Sequence, residues 1–290
     1  MNQEDLKSKL SQFRYKESES PKKRLNDTTE LRTSVTTIKK RKQVSNKEQD
    51  TRNYKDLQPS LTDKQILLFI GFNPGIESSL QQHHYAHFSN LFWKLFNESQ
   101  LFLKVLSRID KDYINKNIAT DKLLQELVPE KDVDKTYLKP KHDFEIIKYR
   151  IGFTDLVLRC TKTAQELSLQ EKLANIPRLV DEFNSSGSEY IIFIGKGIWE
   201  MVLKYMTNEL SIKRFKLSKL NFSWGRQEQN TERNIEDIRT YNLILSKFKD
   251  KLSNQSSKIY VFPNTSGLVG SLKYSEKLDL WNDLANDLVK

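Results

Sequence analysis

The stretch Leu67-Leu68-Phe69-Ile70-Gly71-Phe72-Asn73-Pro74-Gly75 constrains this chain more than any other. A strand with one wet face alternates apolar and polar residues; an unbroken short apolar run belongs to a strand covered on both faces. Asn-Pro-Gly closes the run in a tight turn and leaves one polar side chain, Asn73, at its exit. Two later runs follow the same plan. Tyr190-Ile191-Ile192-Phe193-Ile194-Gly195 leads into Lys196-Gly197, and Lys258-Ile259-Tyr260-Val261-Phe262-Pro263 leads into Asn264-Thr265-Ser266-Gly267. Residues 151–157, Ile-Gly-Phe-Thr-Asp-Leu-Val, add a strand or strand-like loop.

Between these runs the apolar period changes. Leu91, Phe92, Leu95, Phe96 and Leu103 recur at helical spacing over 89–106, with Ser89 as a cap. Residues 165–183 read as a helix that contains Pro177. A helix through Trp199 and Met201-Val202-Leu203 follows the second run, and the last helix spans about 275–288. Strands separated by helices predict an α/β three-layer sandwich, a mostly parallel central sheet flanked by helices. Ligands of such sheets bind beyond the carboxyl ends of the strands. The three polar turns are therefore expected on one edge, building one site.

Other segments look peripheral. Residues 107–145 are charged and read as a mobile helical excursion. Residues 227–256 are rich in Asn, Glu and Lys, without a clear apolar face, and read as a second insertion. Residues 1–60 carry 15 Lys/Arg against 9 Asp/Glu. They show no lasting apolar period, so they cannot bury enough surface to offset their ordering entropy and are expected to be a disordered basic tail. The catalytic domain is then 61–290. The tail clusters Pro21-Lys22-Lys23-Arg24 and Lys39-Lys40-Arg41-Lys42 suit a nuclear import signal, and equally a DNA-gripping arm.

The net charge of +10 favours a polyanionic partner such as nucleic acid or an acidic membrane surface. No apolar run approaches the roughly 18 residues of a membrane-spanning helix, so no membrane partner is expected. One cysteine, Cys160, excludes an internal disulfide and multi-thiolate zinc sites. His83, His84 and His87 cluster, but no carboxylate stands at a recognised spacing beside them, so no metal and no cofactor are expected. A carboxamide at a strand exit, followed by His83-His84-Tyr85 and Phe92-Trp93, suits a flat polar ring such as a nucleobase.

Taken together these motifs resemble the family of mismatch-specific uracil DNA glycosylases and thymine DNA glycosylases. Gly71-Phe72-Asn73-Pro74-Gly75 is similar to the family's Gly-Ile-Asn-Pro-Gly. His83-His84-Tyr85 and Asn90-Leu91-Phe92-Trp93 match its next two blocks. Ile151–Val157 with Arg159 and Thr161 is similar to its middle segment. Pro263-Asn264-Thr265-Ser266-Gly267-Leu268 is close to the bacterial Pro-Asn-Pro-Ser-Gly-Leu.

The resemblance implies a monomeric, monofunctional glycosylase of the uracil-DNA-glycosylase-like fold. It would flip uracil, and thymine, out of mismatches with guanine in double-stranded DNA and hydrolyse the glycosidic bond for base excision repair. Downstream repair partners are not indicated. Asn73 would orient the attacking water. Phe72, Ser78, His84, Tyr85 and Asn90 would form the base pocket, with Tyr85 stacked on the base and Ser78 facing the pyrimidine 5-position. Gly267 and Leu268 would wedge into the duplex, while Asn264, Ser266 and Lys196 would meet phosphates. Ser78 sides with the uracil-preferring branch. Asp155 stands where eukaryotic members often carry Asn and should repel carboxylated cytosine. His87-Phe88-Ser89 is bulkier than the family's Gly-Pro-Gly, and Val269-Gly270 replaces polar or basic residues after the wedge. Two other readings are a DNA-binding relative without activity, which these changes at the rim would favour, and an unrelated α/β enzyme holding phosphates at Gly195-Lys196-Gly197.

Overall fold

The computed structural model describes residues 54–129, 135–232, 234–267 and 272–290. The basic clusters of the tail and Leu268 lie outside these residues. The sheet strands are β1 (Leu67–Gly71), β2 (Ile151–Asp155), β3 (Tyr190–Ile194), β4 (Gly225–Arg226) and β5 (Lys258–Phe262). Their order is β2-β1-β3-β5-β4, parallel except for the short edge strand β4, which pairs antiparallel to β5.

The helices, in chain order, are α1 (Ile76–Gln81), α2 (Phe92–Glu98), α3 (Leu101–Ile109), α4 (Tyr113–Asn117), α5 (Lys122–Leu127), α6 (Leu169–Ala174), α7 (Ile176–Ser186), α8 (Lys196–Glu209), α9 (Glu236–Lys249) and α10 (Tyr274–Asp287). The two-residue period of the strands assigns them to layers. Leu67, Phe69, Ile192, Ile194, Tyr260 and Phe262 pack against α2, α3, α5 and α10. Leu68, Ile70, Ile191, Phe193, Ile259 and Val261 pack against α7, α8 and α9. This is the three-layer α/β sandwich expected from the sequence. Phe69 is its centre on the first face, in ring contact with Phe92, Phe96, Phe153 and Trp281. Truncating it to Ala would cost about 3–5 kcal/mol.

Several boundaries differ from the sequence reading. The folded unit starts before residue 61: Leu57 is buried, and Ser60 exchanges two backbone hydrogen bonds with Phe153, 2.8 and 2.9 Å. The stretch 107–145 is no detached excursion among its described residues. Leu124, Leu127, Val128 and Leu138 enter the core, spaced by charged residues that hide the pattern. The stretch 227–256 has an apolar face after all. Ile238, Tyr241, Ile244, Leu245 and Phe248 line one side of α9 and close the second core. Residues 89–106 form two helices rather than one, because Gln100 takes a left-handed conformation, φ 55°. Pro177 divides 165–183 by opening α7, where its missing N–H costs nothing. Among the described residues no helix is long and apolar enough to cross a membrane.

Candidate active site

The carboxyl ends of β1, β2 and β3 and the loop after β5 enclose a cleft of about 540 Å³. Its walls include Phe72, Asn73, Ser78, His84, Tyr85, Asn90, Asp155, Asn264 and Ser266. Residues more than 190 positions apart thus meet at one sheet edge, where the turns after β1 and β5 line the cleft and the third expected turn, Gly195-Lys196-Gly197, does not. Lys196 is not on that wall: it pairs with Glu200 one helical turn away, 3.4 Å, and lies over the Phe222 ring. Gly267 touches the rim through Ser89. A methyl group there would sit 2.9 Å from both Ser89 oxygens, so only glycine permits this approach.

The Asn73 amide is fixed by its nitrogen. Nδ2 donates to Thr161 Oγ1 at 2.8 Å, to the Pro74 carbonyl at 3.2 Å and to the Arg159 carbonyl at 3.3 Å. Two of these partners are carbonyl oxygens that only accept, so the amide cannot be turned over. Among the described residues nothing bonds to Oδ1, which is left to the cleft. Thr161 carries no signal in the sequence beyond its place in a motif; its role appears only when the loop after β2 folds over Asn73.

Behind His84 the unpredicted member is Asp143, within the stretch that reads as an excursion. It is fully buried. Oδ2 accepts from the His84 backbone N–H at 2.7 Å and lies 2.7 Å from His84 Nδ1. Oδ1 lies 2.8 Å from His83 Nδ1 and accepts the Phe144 N–H at 2.8 Å. A carboxylate only accepts, so His84 carries its proton on Nδ1 towards Asp143. Its Nε2 is buried and has no partner among the described residues. The imidazole also stacks on Phe153, centroids 5.5 Å apart, and Trp93 Nε1 donates to the His84 carbonyl at 3.1 Å.

Tyr85 takes a left-handed backbone, φ 54°, unusual for an aromatic residue and a form of strain that collects at functional sites. This turns its ring flat onto Phe92, centroids 3.9 Å apart and planes parallel. Its hydroxyl is buried without a partner among the described residues. Burial, and then the nearby Asp155, hold its pKa well above the usual phenol value. Asp155 ends β2 opposite Gly71; a methyl group at Gly71 would overlap its carboxylate and crowd the Tyr85 hydroxyl. Burial raises the Asp155 pKa to about 6, against the opposing influence of His84 and Arg178. Arg178 pins the strand end, donating to the Asp155 and Leu156 carbonyls at 2.6 and 2.9 Å.

Ser78 and Asn90 brace this wall. The Ala86 N–H donates to Ser78 Oγ at 3.2 Å, and the Phe92 N–H to Asn90 Oδ1 at 2.9 Å. Asn90, rather than Ser89, therefore completes the start of α2 while lining the cleft. Among the described residues no group of three metal-ligating side chains converges. The polar set is one free carboxamide oxygen, one free imidazole nitrogen, one free phenol and a desolvated carboxyl. It suits a flat ring with polar edges and a water molecule.

The model of the uracil DNA glycosylase superfamily matches residues 59–285. The G/U mismatch-specific uracil DNA glycosylase of Schizosaccharomyces pombe is 24% identical over 261 residues, 89% of this chain and 60% of that protein. The chain thus spans about three fifths of the length of that relative.

Proposed function

This chain belongs to the uracil DNA glycosylase superfamily, and from that premise we propose that it is a monofunctional DNA glycosylase. It extrudes uracil, and more slowly thymine, from a G mismatch in duplex DNA and hydrolyses the glycosidic bond, leaving an abasic site. The observation that carries this reading is the Asn73 amide, locked through Nδ2 with Oδ1 left open on a residue lining the cleft. Such an oxygen accepts one hydrogen of a water and holds its lone pair towards the sugar. A carboxamide does not titrate, so the contribution is orientation rather than proton abstraction.

The bond to C1′ breaks with its electron pair passing to the base, the sugar becomes oxocarbenium-like, and the water oxygen adds to C1′ and releases its proton to solvent. The facing wall serves the departing ring. Among the described residues the Tyr85 N–H has no hydrogen-bond partner, and it is available to a base carbonyl whose negative charge grows. Tyr85 supplies the stacking surface, worth about 1–3 kcal/mol. Asp143 fixes His84, so Nε2 meets the ring in one orientation. Flipping costs a few kcal/mol and least at a mismatch, which fits a substrate in mismatched DNA. The basic tail clusters fit a nuclear import signal, and Asn264 and Ser266 fit phosphate contacts.

The test is a duplex with a single U·G pair, incubated with the full chain and then treated with hot alkali. Strand breakage only after alkali supports the reading; binding without breakage supports a DNA-binding relative without activity. Ser78 at the cleft wall motivates a lesion preference. Single-turnover excision should be faster from U·G than from T·G, and faster thymine release would remove Ser78 as the determinant.

A further inference from the structure

Phe88 is the most exposed large apolar side chain among the described residues, at 93%; the next, Leu80, is at 61%. Isolated surface hydrophobes are ordinary, but this one is held in place. Residues 87–90 form a tight turn closed by the Asn90 N–H to His87 carbonyl bond, 2.8 Å. His87 Nδ1 receives the Ser89 N–H and lies 2.9 Å from its hydroxyl. Asn90 Oδ1 ties the far side of the turn to the start of α2. The Phe88 ring leans on the His87 ring, centroids 4.7 Å apart. The outward pose is thus built by the turn rather than left over from a loose loop.

Its position gives the pose a use. His87, Ser89 and Asn90 line the cleft, so Phe88 stands at the mouth. Ser89 also abuts Gly267, and the Leu91 N–H donates to the Thr265 carbonyl at 2.9 Å. The turn and the loop after β5 are therefore fastened together on one rim. An aromatic face stacks on any nucleobase, and an apolar side chain inserted beside a base step is a known way to hold a duplex open.

We propose that Phe88 is a DNA-stacking residue: with a nucleotide extruded into the cleft, its ring packs on the neighbouring base of the duplex and holds the gap open. This rests on the glycosylase reading for its substrate, and the experiment separates the two. Full-length wild type, Phe88→Ala and Phe88→Trp are compared on a U·G duplex, on the same uracil strand alone, and in binding to a duplex carrying a tetrahydrofuran abasic analogue. Phe88→Ala should lose about tenfold in excision from the duplex, lose less than about twofold on the single strand, and bind the abasic duplex about tenfold more weakly. Phe88→Trp should stay within about threefold of wild type throughout. Thermal unfolding of Phe88→Ala should match wild type, since so exposed a ring contributes little packing.

Unchanged duplex excision and binding in Phe88→Ala would overturn the proposal. So would equal losses on both strands, because the residue would then act inside the pocket. If wild type excises no uracil at all, the glycosylase reading fails, and abasic-duplex binding alone decides the role of Phe88: a tenfold loss upholds it and no loss overturns it.

Discussion

At the Asn73 corner of the cleft both amide hydrogens are taken, by Thr161 and two carbonyls, and among the described residues nothing bonds the oxygen. At the His84–Tyr85 corner, a 2.7 Å hydrogen bond to Asp143 fixes one end of the imidazole, yet Nε2 and the Tyr85 hydroxyl are buried with no partner among the described residues. Buried polar atoms without partners cost about 1–3 kcal/mol each. The two corners therefore bear different burdens. The first is complete in the free protein and needs one water. The second carries unmet hydrogen bonding that a ring with polar edges would relieve. On the glycosylase reading, positioning of the nucleophile would be built in, whereas recognition of the leaving group would wait for the substrate.

If that contrast holds, breaking the first corner should abolish chemistry and leave binding intact. Asn73→Ala should lower single-turnover excision of U·G uracil by about 10²–10³-fold, the scale for losing one preorganised polar group. Affinity for a duplex with a tetrahydrofuran abasic analogue should change by less than about threefold, since no base contact is lost. A parallel loss of binding would show that Asn73 holds DNA rather than water.

Breaking the second corner at its root should weaken chemistry less and cost folding stability as well. Asp143→Asn replaces one accepting oxygen by an NH2 facing imidazole or backbone donors. With up to two buried donors left unpaired, stability should fall by about 3 kcal/mol in urea unfolding. The His84 tautomer is no longer imposed, so excision should fall about tenfold and its pH profile should change shape. Stability loss with an unchanged profile would reduce Asp143 to a packing role.

The division between legible and hidden parts of the molecule follows the same line. The β1 exit could be read because a local pattern, an apolar run closed by Asn-Pro-Gly, specifies both strand and turn. The parallel sheet and its shared edge followed from three such runs. Asp143 could not be read that way. It lies 59 residues from His84 in a charged stretch, and only the packing of Leu124, Leu127 and Leu138 into the core carries it under the histidines. The helix α9 was hidden for a related reason. Its apolar residues are diluted by Lys, Arg and Asn on the outer face, so composition conceals a period that Ile238, Tyr241, Ile244, Leu245 and Phe248 keep. Thr161 and Arg178 act through loop and strand-end geometry that no spacing announces.

Asp155 sharpens the contrast, because its charge sits between the corners. Its pKa is about 6 in the folded protein, raised by burial, against about 3.9 in an unfolded chain. Between about pH 4 and pH 6 the folded state holds a proton that the unfolded state has released, so this group's contribution to stability falls as pH rises through that window. Above it, an ionised carboxylate stays desolvated at a cost of up to about 3 kcal/mol. Asp155→Asn keeps the shape and removes the charge. The variant should be about 2–3 kcal/mol more stable than wild type at pH 8 and nearly equal to it at pH 4, as read by urea unfolding at both pH values. The same charge should exclude anionic bases at neutral pH, so wild type should release no carboxylated cytosine while Asp155→Asn releases it detectably. A stability gain that is the same at both pH values would mean that Asp155 is solvated, and its repulsion of anionic bases would then have no physical basis.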